Sequence, residues 1–156
     1  MAEDRIRITT AYFVPDEELI SRLCDAVDRG VDVDILIPGP FADKRVVQLA
    51  AETSYSRLLE HGVSIWNYQP TMLHAKLMTV DGHVANIGSA NLNRRSFSFD
   101  EEINIVVLEP GLVATLDDHF EDDLDRSVRI RPRRWSSRSL TQRTVEQCVV
   151  PLRRFF

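Results

Sequence analysis

Two apolar runs, "RIRITTAYF" (5–13) and "VDVDILIPG" (31–39), flank one helix-length segment, and that spacing constrains the fold more than any other feature. The first run is rich in β-branched and aromatic residues and reads as a strand. In the second, Val31, Val33, Ile35 and Ile37 fall on one face of a strand. Between them Pro15 and Asp16 open a helix with acids in its first turn. Leu19, Leu23, Ala26 and Val27 form its apolar stripe, and Gly30 ends it. Strand, helix, strand at this length is a crossover unit, so the two strands lie parallel.

The pattern continues in the same style. Pro38-Gly39-Pro40 is a loop at the carboxyl end of the second strand, where ligand sites of α/β sheets collect. A helix over 43–60 closes at His61-Gly62, and "VSIWNY" (63–68) is a third strand. A hairpin spans 73–91, a polar stretch follows, and "EEINIVVLE" (101–109) is a further strand. Residues 111–124 read as a helix with Val113, Leu116, Phe120 and Leu124 at helical spacing, so the acids of "DDHFEDDLD" (117–125) form a solvated face rather than a metal cluster. The expected class is α/β: a mixed β-sheet with helices on both faces, in one repeat. A chain of 156 residues buries roughly 68–70% of its unfolded surface, enough for a core without staples. Residues 1–130 read as one domain and 131–156 as a basic helical tail.

Charge is unevenly spread: the net −5 divides into −12 on residues 1–126 and +7 on 127–156. The tail, with Trp135, Leu140, Val149, Leu152, Phe155 and Phe156 among arginines, could dock on the sheet or meet an anionic lipid or nucleic-acid surface. Cys24 and Cys148 have no metal-ligand spacing and read as small buried apolar residues in a reducing compartment. "MAEDRIRITT" lacks the form of a signal peptide, and no run approaches eighteen apolar residues. The expected location is cytoplasmic, or peripheral at the cytoplasmic membrane.

The hairpin carries the chemistry. Asp81-Gly82 is the residue pair of a two-residue type I′ turn. With that turn Val80 pairs with His83, Met78 with Ala85, Lys76 with Ile87 and His74 with Ser89. His74, Lys76, Ser89 and Asn91 then share one face, and Gly88 lets backbone approach what lies between them. An imidazole supplies a nucleophile at neutral pH, while a lysine ammonium and an asparagine amide stabilise charge on phosphoryl oxygens. Such an imidazole needs its second nitrogen held, and Glu101 and Glu102 on the next strand are the candidates. No metal or other cofactor is required. Arg94, Arg95 and Ser96 follow the loop and could touch a headgroup phosphate or cap the next element.

The string His74-x-Lys76-x4-Asp81-x6-Gly88-Ser89-x-Asn91 resembles the HKD motif of the phospholipase D superfamily. "ITTAYFVPDEEL", "RGVDVDILIPG", "YQPTMLHAKLMTVDG" and "IGSANLNRRSF" are similar to the C-terminal repeat of bacterial cardiolipin synthases. The resemblance implies that His74 attacks a phosphodiester or protonates its leaving group, that Lys76 and Asn91 hold the phosphate with Ser89 nearby, and that Glu102 orients the imidazole. It places Asp81 in the turn in a structural role. It implies a phosphatidyltransferase that passes a phosphatidyl group through a phosphohistidine to an alcohol, acting on a phosphatidylglycerol-like lipid. The alternatives are a dimeric phosphodiesterase or nuclease, and a catalytically incomplete half-enzyme; nucleic acid as a partner fits the acidic body poorly.

One departure follows. The family site uses two motifs, and none of His61, His83 and His119 has a lysine two residues on. Loss of a general acid forfeits roughly 10²–10⁴ in rate. A second motif is therefore expected from another copy, in a homodimer, or from another repeat. The start at the first strand, without the family's membrane helices, reads as a fragment or a truncated gene.

Overall fold

A computed structural model of the chain describes residues 1–43 and 45–132, together with Trp135 and Thr144. The crossover unit forms as its pattern requires. Strand β1 (Arg5–Thr10) breaks at Ala11-Tyr12, so the expected 5–13 strand is two elements, the second being the short β2 (Phe13–Val14). Helix α1 (Glu17–Asp28) starts where the Asp16 carboxylate accepts from the Leu19 N–H at 2.8 Å. It ends where Gly30 takes φ +93°, a conformation that costs glycine nothing. Strand β3 (Asp32–Pro38) lies parallel to β1, with Ile8 opposite Ile35.

The next helix is α2 (Arg45–His61), followed by β4 (Ser64–Tyr68), parallel to β3. The hairpin is β5 (Lys76–Val80) and β6 (Val84–Gly88), followed by β7 (Leu92–Asn93) and α3 (Arg94–Ser98). Strand β8 (Asn104–Val107), helix α4 (Pro110–Asp125) and strand β9 (Ser127–Arg129) complete the order. Among the described residues the strands make a seven-stranded mixed sheet, β8-β6-β5-β1-β3-β4-β9, and a two-stranded sheet of β2 with β7.

Helices cover both faces, in agreement with the expected class. Ile8, Val33, Ile35 and Ile65 on one face pack against Ile20 and Leu23 of α1 and Leu58 of α2. On the other face Leu36, Tyr68 and Leu73 pack around Phe120 of α4. Trp135 is the described part of the basic tail's apolar set: its ring lies 5.3 Å from Tyr55, and its indole N–H donates to Ser56 Oγ. That residue docks on α2; the remaining tail residues named above lie outside the described residues.

The acids of α4 do not all face solvent. Asp117 is buried, accepts from Thr79 Oγ1 at 2.6 Å and pairs with Arg5 at 2.8 Å and Arg7 at 3.1 Å. The helical spacing that solvates Asp118 and Asp122 turns Asp117 toward β1 and β5, whose cations receive it. Burial pushes this carboxyl up, but Thr79, Arg7 and Arg5 more than offset that and hold it below the ordinary carboxylate range. Its stabilising contribution is therefore whole above the unfolded value near 4 and is lost as pH falls through the lower folded value. Asp117→Ala should cost about 3 kcal/mol in urea unfolding at neutral pH, since it breaks a buried pair and takes the carboxylate partner from Arg5 and Thr79. The deficit relative to wild type should shrink below about pH 4; a deficit independent of pH would contradict the assignment.

Candidate active site

The hairpin turn has the expected conformation and an unexpected length. Asp81 and Gly82 take φ +53° and +68°, and the His83 N–H donates to the Val80 carbonyl at 3.0 Å. The ladder resumes one residue later than a two-residue loop allows: Val80 pairs with Val84, Met78 with Asn86 and Leu77 with Ile87. His83 belongs to the loop. Because side chains alternate, this one-residue offset replaces the expected partners on the lysine's face. Lys76 stands opposite Thr10 on β1 and, one step past the Leu77–Ile87 pair, opposite Gly88, which faces Asn104 on β8. Met78 stands between Ile8 and Asn86 in the next row.

These rows floor an open groove lined by Thr10, Lys76, Asn86, Gly88, Asn104 and Phe97, among others. His74 lies two residues before β5 and touches Lys76, but is not itself among the residues that line the groove. The Lys76 ammonium lies 3.1 Å from His74 Nδ1 and 3.3 Å from Nε2, and donates to the His74 carbonyl at 3.2 Å. Tyr12 meets the imidazole edge-on, ring centroids 5.9 Å apart, and its hydroxyl donates to Asp43 at 2.7 Å. Burial and the Asp43 hydrogen bond push that phenol up to about 12. Burial lowers the Lys76 ammonium below its ordinary value, while Glu102 and Asp43 partly restore it.

Ser89 and Asn91 leave the ladder with the loop after Gly88. Successive N–H groups there are all used: Ser89 to the Ile103 carbonyl, Ala90 to Asn104 Oδ1 and Asn91 to Ser96 Oγ. Glu102 accepts from Ser89 Oγ and, at 2.7 Å, from Ser96 Oγ. Those two hydroxyls hold its carboxyl below the usual range. Both oxygens are thus engaged by serines, and within one chain Glu102 does not hold His74 as expected. Asn91 is not among the residues lining the groove, and its Oδ1 is buried without a partner. A buried carbonyl left unpaired costs about 1–3 kcal/mol.

The residues match known proteins along most of the chain. Residues 1–124 match the model of the family described as "Cardiolipin synthase, PLD-like domain". The chain belongs to the phospholipase D-like family of cardiolipin synthases. It is 34% identical over 145 residues to a probable cardiolipin synthase of Bacillus subtilis (strain 168), covering 93% of this chain and 29% of that protein. It is 38% identical over the same length to cardiolipin synthase 2 of Bacillus anthracis, covering 93% and 28%. The chain thus spans less than a third of these curated relatives. In fold it is similar to the phospholipase D family member Nuc from Salmonella typhimurium, with TM-score 0.74, 23% identity and coverage of 83% and 84%. It is also similar to phosphatidylserine synthase from Haemophilus influenzae Rd KW20, with TM-score 0.76, 17% identity and coverage of 99% and 40%.

For this phospholipase D-like chain, the motif aspartate belongs to the scaffold. Asp81 lies at the far end of β5 from Lys76, roughly 17 Å along a five-residue strand. It is not among the residues that line the groove. Its carboxylate accepts from the backbone N–H groups of Glu3, Asp4 and Arg5 at 2.8–3.0 Å. Burial raises it, but those three bonds outweigh burial and lower it. Arg94 and Arg95 are exposed, do not line the groove, and Arg95 pairs with Asp100. Gly88 serves β8 rather than a ligand, because a Cβ there would overlap Asn104 Oδ1 and the Ile103 carbonyl.

Sequence reasoning passed over Tyr12, Asn86 and Asn104. The only signals were a polar residue inside each apolar run and an aromatic residue at a strand break. Asp81→Ala should lower stability by about 1–3 kcal/mol through three lost charge-assisted bonds, and Asp81→Asn by less, since asparagine keeps an acceptor and tolerates positive φ. Urea unfolding measures both; equal losses would contradict the carboxylate's role.

Proposed function

We propose that this domain is the phosphoryl-transfer half of a phosphatidyltransferase of cardiolipin-synthase type. The observation that carries it is the His74–Lys76 pair, a nucleophile with a groove-lining cation about 3 Å away. In this reading an imidazole nitrogen of His74 attacks the phosphorus of a phospholipid diester. The phosphorus–oxygen bond to the leaving alcohol breaks, and a second histidine donates the proton that alkoxide needs. An acceptor alcohol then attacks the phosphohistidine, returns a proton to the second histidine and frees His74; water in its place gives hydrolysis. Lys76 stabilises charge on the phosphoryl oxygens; Asn91 lies outside the groove. Ser89 and Ser96 fix Glu102 in its charged form, available to orient an imidazole.

The second histidine is proposed to come from another phospholipase D-like repeat, in the simplest case a second copy of this chain. The imidazole that Glu102 orients is then the other copy's. Exposed apolar residues support this. Phe97 and Phe99 lie within residues 89–102, Ile103 and Ile105 just beyond, and all four are 54–74% exposed. An apolar cluster beside an incomplete site suits a protein interface. The lipid substrate is proposed to be phosphatidylglycerol-like, met at the cytoplasmic membrane surface. Among the described residues no helix is long and apolar enough to cross a membrane. Residues 131–156, the basic tail following domain 1–130, would add anionic-lipid contact. The charge of −12 on residues 1–126 weighs against a nuclease, which needs a basic track.

The test is turnover of labelled phosphatidylglycerol in mixed micelles. His74→Ala should lower it at least about 10³-fold and abolish acid-labile phosphate on the protein. Lys76→Ala should lower it about 10²–10³-fold. Unimpaired turnover by His74→Ala would overturn the reading. Cleavage of DNA in preference to lipid, falling steeply with salt, would replace it with a nuclease.

A further inference from the structure

We propose that Asn104 is a phosphate-binding residue of this site, placed beside Lys76 by the hairpin register. The inference rests on the reading of the groove as a phosphodiester site, and it names a residue outside the HKD string. Thr10, Lys76, Gly88 and Asn104 form one row across four adjacent strands, on one face of the sheet. Lys76 and Asn104 are two strands apart, roughly 9–10 Å between backbones. The residue between them is Gly88, which has no side chain to separate them. The Asn104 carboxamide leans into that vacancy, since a Cβ on Gly88 would collide with its Oδ1. Both Lys76 and Asn104 line the groove.

The orientation of the amide follows from its neighbour. Asn104 Oδ1 accepts from the Ala90 N–H at 3.3 Å, and a backbone N–H can only donate, so the oxygen end is assigned. The NH₂ end remains as a donor on a side chain that lines the same groove as Lys76. A charged ammonium and an amide donor lining one groove suit the non-bridging oxygens of a phosphate. The Asn104 oxygen meanwhile ties the substrate row to the loop that carries Ser89 and Asn91. Nothing in the motif's spacing indicates this residue. It was placed here by the offset of one residue in the ladder, which turns Asn104, rather than Ser89 or Asn91, toward Lys76.

The test measures binding of inorganic phosphate by ³¹P line broadening, so that it does not depend on lipid turnover. Wild type, Lys76→Ala, Asn104→Ala and Asn104→Asp are compared, each with its unfolding midpoint. Asn104→Ala should weaken phosphate binding about tenfold to a hundredfold, as for a lost hydrogen bond to a charged group. Asn104→Asp keeps an acceptor for Ala90 but replaces the donor with a negative charge, and should bind no better than Asn104→Ala. Rescue of binding by Asn104→Asp would show that the residue acts only by bracing the loop, and would overturn the proposal. So would unchanged binding in Asn104→Ala, or no phosphate binding by folded wild type. Phosphate binding with the expected losses, but without lipid turnover, would uphold Asn104 while rejecting the transferase reading.

Discussion

Lys76 pairs with Thr10 across β1 and stands opposite Gly88 across β6, and a shift of either ladder by one residue would turn its ammonium into the opposite core. Everything else in the site is arranged around that register. The β1–β5 ladder is fastened at its far end by Asp81, whose carboxylate gathers three successive N–H groups at the start of β1. Thr79 and Asp117, with Arg5 and Arg7, fasten the reverse face of the same two strands to α4. The motif aspartate thus acts at a distance, holding the strand that presents the lysine.

Much of this architecture was legible from residues alone. Alternation in 31–37 and helical spacing in 17–28 and 111–124 report burial directly, so the parallel crossover and the helix-covered mixed sheet followed from them. The family match rests on spacing that the ladder has to satisfy, and His74, Lys76, Ser89 and Glu102 do gather at one end of the hairpin. What escaped was register. Asp81-Gly82 does take the two positive φ angles, but no local signal says whether His83 is paired or looped. That is settled by pairing on both sides, where Val80 faces Ile6 as well as Val84. For the same reason Asp117 looked like one acid of a solvated face. Its arginine partners lie more than a hundred residues earlier in the chain.

Among the described residues the proposed site holds one histidine, a cation beside it and a well-held carboxylate. Electrostatics sharpen the point. Glu102 is kept charged by two serine hydroxyls and favours the charge on Lys76, yet it has no imidazole of its own to orient. Beside it, β8 is an edge strand among the described residues, and its Ile105 and Val106, with Ile103 just before it, are largely exposed. An edge of that composition is a liability unless something covers it. Both features are explained if a second repeat covers the edge and brings the other histidine.

The dependence of specific activity on protein concentration tests this account most directly. Phosphatidylglycerol turnover per milligram, followed from nanomolar to tens of micromolar protein alongside sedimentation mass, should rise with concentration and level off where mass doubles. Turnover per milligram that stays constant while the protein sediments as a monomer would contradict it, because one chain would then carry a complete site.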